Sequence, residues 1–219
     1  MSDRSHVFFD VNALIKLAQS LSHHRFDSQG RFSRVRIAMS YGVLRVTTSS
    51  RLMGMAKERI LRKFPSSKRD ILIGELDVAI SNNWIELLSP DDLSFIPLDD
   101  VRYYIYSNLA EDWYDLLKDR DEEDALMLRE AALAYARNCI IRNRMGYYVP
   151  SYFLLVSDDR DIHDYRNLLN VQAKVVLHNA EAAFGNVKVH RLKFISVANW
   201  DSFKQYVKNA LSSAPHLIR

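Results

Sequence analysis

Two short apolar runs, one near each end of the chain, constrain its fold more than any other feature. HVFFDVN spans His6 to Asn12, and FLLVSDDRD spans Phe153 to Asp161. Each is a stretch of about four apolar residues that stops abruptly at carboxylates, which is how a buried strand reads in sequence. Carboxylates at the carboxyl ends of strands in an α/β sheet sit at the crevice where such sheets bind ligands. A third acidic cluster, DEEDALMLREAALAYA from Asp121, opens a long segment of helical periodicity. Three acidic groups, distant in sequence and each at the end of an element, can converge on one metal ion.

The intervening segments alternate between the two periodicities. Val7–Asp10, Val43–Thr48, Trp84–Leu88 and Phe153–Val156 read as strands, and a strand is also expected at Lys174–Leu177 and at Val187–Ile195. Helical spacing is expected from Val11 to Leu21, over Val35–Tyr41, and over Arg51–Lys63 with Ser49 or Ser50 as its cap. It is also expected from Ser66 or Ser67 to Ile80, over Val101–Leu117, from Glu122 to Asn138, and near Asp201–Leu211. Polar loops are expected at 23–32 and 89–100, and a turn at Gly146–Pro150. Strands alternating with helices predict an α/β three-layer sandwich, with a central, mainly parallel sheet of four to five strands flanked by helices. The chain reads as a single domain, 1–219, with an acidic helical insertion near 89–120 and a C-terminal extension near 165–219.

The 48% apolar content supports a packed core. A single cysteine, Cys139, excludes an internal disulfide and suits a reducing compartment, so a cytoplasmic location is expected. No apolar stretch reaches the ~20 residues of a membrane helix. The net charge of +3 is unevenly spread: residues 1–70 carry +9, residues 71–125 carry −12, and residues 126–219 carry +6. A basic face beside an acidic cleft suits a polyanion held near a cation, although helix faces that merely differ in charge read the same way. Arg34, Arg36 and Arg45 are the candidate phosphate contacts of the basic segment. The acidic face of the 101–117 helix, with Glu111, Asp112 and Asp115, is expected to wall one side of the cleft or to meet a basic partner.

Three blocks in order resemble the PIN-domain nuclease family. The first is Phe8-Phe9-Asp10-Val11-Asn12. The second is Asp121-Glu122-Glu123-Asp124-Ala125, with Ala131, Ala132 and Ala134 behind it. The third is Val156-Ser157-Asp158-Asp159-Arg160-Asp161. The resemblance spans roughly residues 5–165. It implies a metal-dependent ribonuclease, with Mg²⁺ or Mn²⁺ as cofactor and Asp10, Asp124 and Asp159 as the metal-holding, catalytic carboxylates. Asp121 and Asp161 would support them, while Asn12 and Ser157 would fix the loops through hydrogen bonds.

The chain departs from the family at two places. The helix after the second strand lacks the usual Glu. Its only acid is Glu58, the candidate fourth carboxylate, and Gly54 or Met55 stands near the usual position. The stretch from Asp124 to Ser157 is also longer than usual, so an extra turn or loop is expected near 138–151. The chemistry is coherent without the family: clustered aspartates repel one another, and a hard divalent cation relieves the repulsion and activates water. RNA is the expected substrate. An antitoxin, another protein or a second copy is the expected protein partner if the chain is the toxin of a toxin–antitoxin pair. A non-catalytic PIN-like module that binds RNA or protein is the alternative, and a DNA nuclease of a related fold is a third. Asp10 alone also fits a helix cap, and Asp159 and Asp161 a plain turn, as the less favoured readings.

Overall fold

In the computed structural model of the chain, residues 5–23, 32–88, 99–142, 152–185, 187–190 and 193–213 are described. The loops expected at 23–32 and 89–100 fall mostly outside these residues, and the Gly146–Pro150 turn falls wholly outside them.

Five strands form the central sheet: β1 (Ser5–Phe9), β2 (Leu44–Ser49), β3 (Ile85–Leu88), β5 (Tyr152–Val156) and β7 (Lys193–Ala198). They lie in the order β3-β2-β1-β5-β7, and every pairing is parallel. β1 is central, between β2 and β5, and all five of its residues are buried. That is why its sequence is a continuous apolar run rather than an alternation: a parallel strand is covered on both faces.

On one side, α1 (Val11–Leu21) packs against α3 (Ser50–Lys63) and α4 (Ser66–Ser81), with α2 (Arg34–Ser40) and α9 (Trp200–Ser212) alongside. On the other side, α6 (Glu122–Asn138) lies across β1 and β2. It is covered by α5 (Asp100–Asp115), which also meets α8 (Arg166–Ala183). The short α7 (Arg160–Asp164) follows β5. The three-layer α/β sandwich predicted from the alternation of elements is therefore present, with five parallel strands. One core runs through it, from Leu14 and Leu17 to Trp113 and Tyr135 and on to Phe203 and Val207.

One rule repeats at the carboxyl edge of the sheet. The polar residue at or just past a strand's end caps the next helix. Asp10 caps α1, Ser49 caps α3, Asp159 caps α7 and Asn199 caps α9. Each accepts from a backbone N–H of the first turn, which would otherwise lack an intrahelical partner. The polar edge expected to hold the site is thus also what starts the helices.

Three expectations are revised. Lys174–Leu177 is not a strand but the middle of α8. Leu169, Ala173, Val176, Leu177 and Ala180 are buried at helical spacing, and this face outweighs the local β-branched run. The Val187–Ile195 strand is two strands: β6 (Lys188–His190) pairs antiparallel with β4 (Ile140–Arg142), whereas β7 joins the main sheet. The extra length after Asp124 therefore includes one strand of a two-stranded ribbon. The described part of the expected 165–219 extension, up to residue 213, is integral to the domain, because β7 is an edge strand of the sheet and Phe203 and Val207 of α9 lie in the common core. No helix among the described residues is long and apolar enough to cross a membrane.

Candidate metal centre

A small recess of about 130 Å³ opens at the carboxyl edge of the sheet, where α1, α3, α6 and α7 begin or pass. Asp10, Asp121, Asp124 and Asp159 line it, together with Asn12, Glu123 and Arg59. Four of the acids expected from sequence are thus brought to one place from three distant segments. The volume decides what can enter. Liquid water occupies ≈ 30 Å³ per molecule, so the recess has room for about four waters, or for an ion with some of its hydration and a phosphate oxygen.

Asp10 is buried. Its Oδ1 accepts from Ala13 N–H at 2.5 Å, and the hydroxyl of Ser157 hydrogen-bonds its carboxylate. Burial raises its pKa above the ordinary aspartate value, assisted by Asp158 and Asp159 and opposed by these two hydrogen bonds. Ser157, fully buried, also accepts from Asp159 N–H at 3.0 Å, so a single hydroxyl ties the end of β1 to the turn after β5. Asp159 Oδ1 accepts from Asp161 N–H at 2.9 Å, and Asp121 Oδ1 accepts from Asp124 N–H at 3.1 Å. Asp10, Asp121 and Asp159 are therefore helix caps as well as recess acids, so the two sequence readings of Asp10 coexist.

Asp124 is only partly buried and is the acid most disturbed by its neighbours. Desolvation, followed by the charges of Asp159, Asp121, Asp10 and Glu123, pushes its pKa up to about 7. A set of carboxylates that resists full ionisation invites a cation. The donors are all carboxylate oxygens, which fit Mg²⁺ or Mn²⁺ rather than a soft, thiolate-seeking metal. Among the described residues, no three carboxylate, His or Cys side chains stand close enough together to form a coordination shell as they are arranged here.

Other expected residues lie elsewhere. Asp161 is exposed on the first turn of α7 and does not line the recess; its backbone N–H, not its carboxylate, serves the site by holding Asp159. Glu58 is exposed, pairs with Arg62 at 3.5 Å and is absent from the recess wall. Gly54 is exposed, and Met55 accepts through sulfur from Arg51. The polar side chain that α3 sends into the recess, beside the apolar Leu52, is Arg59, a cation rather than an acid. It donates to Glu123 Oε1 at 2.7 Å and to Asn12 Oδ1 at 3.3 Å.

The three arginines expected to contact phosphate are dispersed. Arg36 donates to the buried Glu75 at 2.6 Å and lies over the rings of Phe32 and Trp84. Its charge is thus committed inside the fold. Arg45 is exposed on β2 beside a different hollow, and Arg34 faces a groove near α9. Glu111, Asp112 and Asp115 of α5 do not line the recess. α5 packs against α6 and α8, so the expected acidic wall of the cleft is not formed by them.

Glu130, not anticipated from sequence, supports the site from beneath. It is 6% exposed, accepts from Ser49 Oγ at 2.7 Å and from Arg51 Nε at 2.7 Å, and so fixes the start of α3 on α6. Cys139 is buried, and burial pushes its thiol pKa up to about 12, which makes it a packing residue without nucleophilic character. No family model, no curated protein and no solved structure matches the chain.

Proposed function

We propose that this protein is a metal-dependent nuclease that hydrolyses RNA phosphodiester bonds. The observation that carries the reading is the meeting of Asp10, Asp124 and Asp159 in one recess at the carboxyl edge of a parallel sheet. These three would hold Mg²⁺ or Mn²⁺. When bound, such an ion lowers the pKa of a water and offsets charge on the reacting phosphate. Ser157 holds Asp10 and the Asp159 turn in place. Asp121, as cap of α6, sets the height of Asp124. Arg59 lies where its guanidinium can leave Glu123 for a phosphate oxygen, a geometry that arginine serves well. The reading places the protein in the cytoplasm, acting on RNA. A toxin role with an antitoxin partner rests on the family resemblance alone.

One observation favours a second reading, a non-catalytic RNA-binding module. The helix after β2 contributes Arg59 to the recess in place of an acid, and Glu58 points away. A single experiment separates the two. Purified wild-type protein and the variants Asp10→Asn, Asp124→Asn and Asp159→Asn are incubated with single-stranded RNA, with Mn²⁺ or with chelator. A nuclease cleaves only with metal, and each variant loses cleavage while keeping its circular dichroism spectrum. RNA binding without metal-dependent cleavage in the wild type would decide for the binding module.

A further inference from the structure

We propose that the groove between α1, the start of α2 and α9 is the track along which a single-stranded polynucleotide reaches the acidic recess. The inference deepens the nuclease reading and rests on it for the direction of the strand, though not for the binding itself. The groove encloses about 830 Å³, far more than the recess, and Lys16, Arg34, Lys204 and Lys208 line it, with Asp201 as the one carboxylate on its wall among the described residues. The cations come from three separate helices, so their clustering is a product of the fold.

The charges are available. Arg34 and Lys208 are exposed and have no acidic partner among the described residues. Among the described residues Lys204 pairs with the exposed Asp201, at 2.8 Å, a pair that solvent weakens. Lys16 pairs with Asp158 at 2.6 Å, directly beside the Asp159 turn, and so links groove to recess. Gln19 and Gln205 add amide donors and acceptors to the wall. This mix of cations and uncharged hydrogen-bonding groups follows a phosphate backbone without reading bases.

The path is continuous along one helix. Asn12 lines the recess, whereas Lys16, Ser20 and His23 line the groove. Steps of four residues keep Asn12, Lys16 and Ser20 on one face of α1, and His23 follows just beyond the helix end. At ~1.5 Å per residue, Asn12 to Ser20 covers about 12 Å. A stacked strand advances ~3.4 Å per phosphate, so this stretch spans about three to four phosphates. The concave shape and this directed line favour a strand over a flat anionic surface. α9 belongs to the C-terminal region beyond the three acidic blocks, so the track is an addition of this chain to the recess.

The test measures binding apart from cleavage. Fluorescence anisotropy of labelled single-stranded RNA and of DNA of matched sequence is recorded in chelator over a range of salt. The variants are Arg34→Glu with Lys208→Glu, and Lys174→Glu on α8 as a charge control. The wild type should bind, with affinity falling steeply with salt. The double variant should bind at least about tenfold more weakly at low salt, with a log–log slope shallower by about 1.4, or ~0.7 per lost phosphate contact. Lys174→Glu should match the wild type. Equal weakening for RNA and DNA assigns the track to the backbone, whereas weakening for RNA alone assigns it to RNA. Equal binding by wild type and double variant overturns the inference, as does failure of the wild type to bind either polymer. So does binding to anionic phosphatidylserine vesicles that the double variant loses while its oligonucleotide binding is unchanged. Hydrolysis of bis(p-nitrophenyl) phosphate with Mn²⁺, a diester too short to reach the groove, is measured in parallel on the wild type. If that fails while the groove binds RNA, the nuclease reading falls and the track stands.

Discussion

Arg59 of α3 and Glu123 of α6 meet at 2.7 Å at the wall of the acidic recess, so the one cation that lines it among the described residues is held by an acid on the first turn of the neighbouring helix. Both side chains remain partly exposed, at 33% and 43%. As an isolated pair they contribute no more than about 1 kcal/mol. Their larger effect is on the neighbouring carboxylates, whose repulsion the guanidinium moderates. Arg59→Ala is expected to lower the metal-free melting temperature slightly and to enlarge the increase that Mn²⁺ produces, because the ion then replaces the lost charge. Thermal unfolding with Mn²⁺ and with chelator measures both. An increase equal to that of the wild type would show that Arg59 does not compensate the acids.

The raised pKa of Asp124 gives metal-free stability a definite pH dependence. Below the ordinary aspartate value of 3.8 the carboxyl is protonated in both folded and unfolded chains, and nothing is gained or lost. As pH rises towards about 7, the unfolded chain releases this proton while the folded chain keeps it. Stability therefore falls across that window and stays reduced above it. Asp10 acts in the same direction. Asp124 is only partly buried, so the loss after solvent screening is on the order of 1 kcal/mol. Urea unfolding in chelator at pH 5 and pH 8 should show a larger drop for the wild type than for Asp124→Asn. Identical drops would mean that neither burial nor the neighbouring carboxylates raise the pKa of Asp124.

Asp10, Asp121 and Asp159 could be located from sequence because each stands where a periodicity stops, and Asp124 because it falls in the first turn of the helix that Asp121 opens. The run of β1 ends at Asp10, that of β5 ends just before Asp159, and the helix bounds Glu122–Asn138 follow from Asp121 as cap. Pairings between distant segments could not. Arg36 looks like any basic surface residue until Glu75 of α4 is folded against it. Arg129 and Glu130 are adjacent charges in an apolar helix, and nothing local says that the first is exposed and the second buried. Lys204 and Lys208 lie beyond every acidic block, and only the return of β7 to the sheet brings α9 beside α1. Asp161 shows the opposite failure: its position in an acidic motif suggested a carboxylate role, but its backbone N–H is what the turn uses.

Gly54 offers a test of α3 that is independent of chemistry. It lies within that helix, on its exposed side, and a Cβ built there meets nothing within 4 Å. Glycine within a helix costs about 0.5–1 kcal/mol relative to alanine, largely through the freedom of the unfolded chain. Gly54→Ala is expected to stabilise the protein by that amount and to leave RNA cleavage unchanged. Chemical denaturation measures the gain. A loss of stability would mean that α3 is less regular than described.

The Glu130–Ser49–Arg51 cluster joins stability to the site. Glu130→Ala strands a hydroxyl at the end of β2 and a guanidinium that is 32% exposed. The expected loss is about 3 kcal/mol, the low end for breaking a buried pair, because solvent still reaches Arg51. Arg51→Ala, which leaves the buried Glu130 carboxylate without its counter-charge, should cost at least as much, and the double variant should lose less than the sum, with a coupling energy of about 1–2 kcal/mol. Glu130→Gln separates the contributions: its amide oxygen can still accept from Ser49, while the charge facing Arg51 is gone. Because Ser49 also caps α3 at Leu52 N–H, 3.0 Å away, and α3 carries Arg59, the alanine variant should weaken RNA cleavage as well. The glutamine variant should retain most of it. Additive losses in the double-mutant cycle, measured by urea unfolding, would show that Glu130 and Arg51 act independently. Cleavage unchanged in a folded Glu130→Ala protein would show that the start of α3 does not set the geometry of the recess.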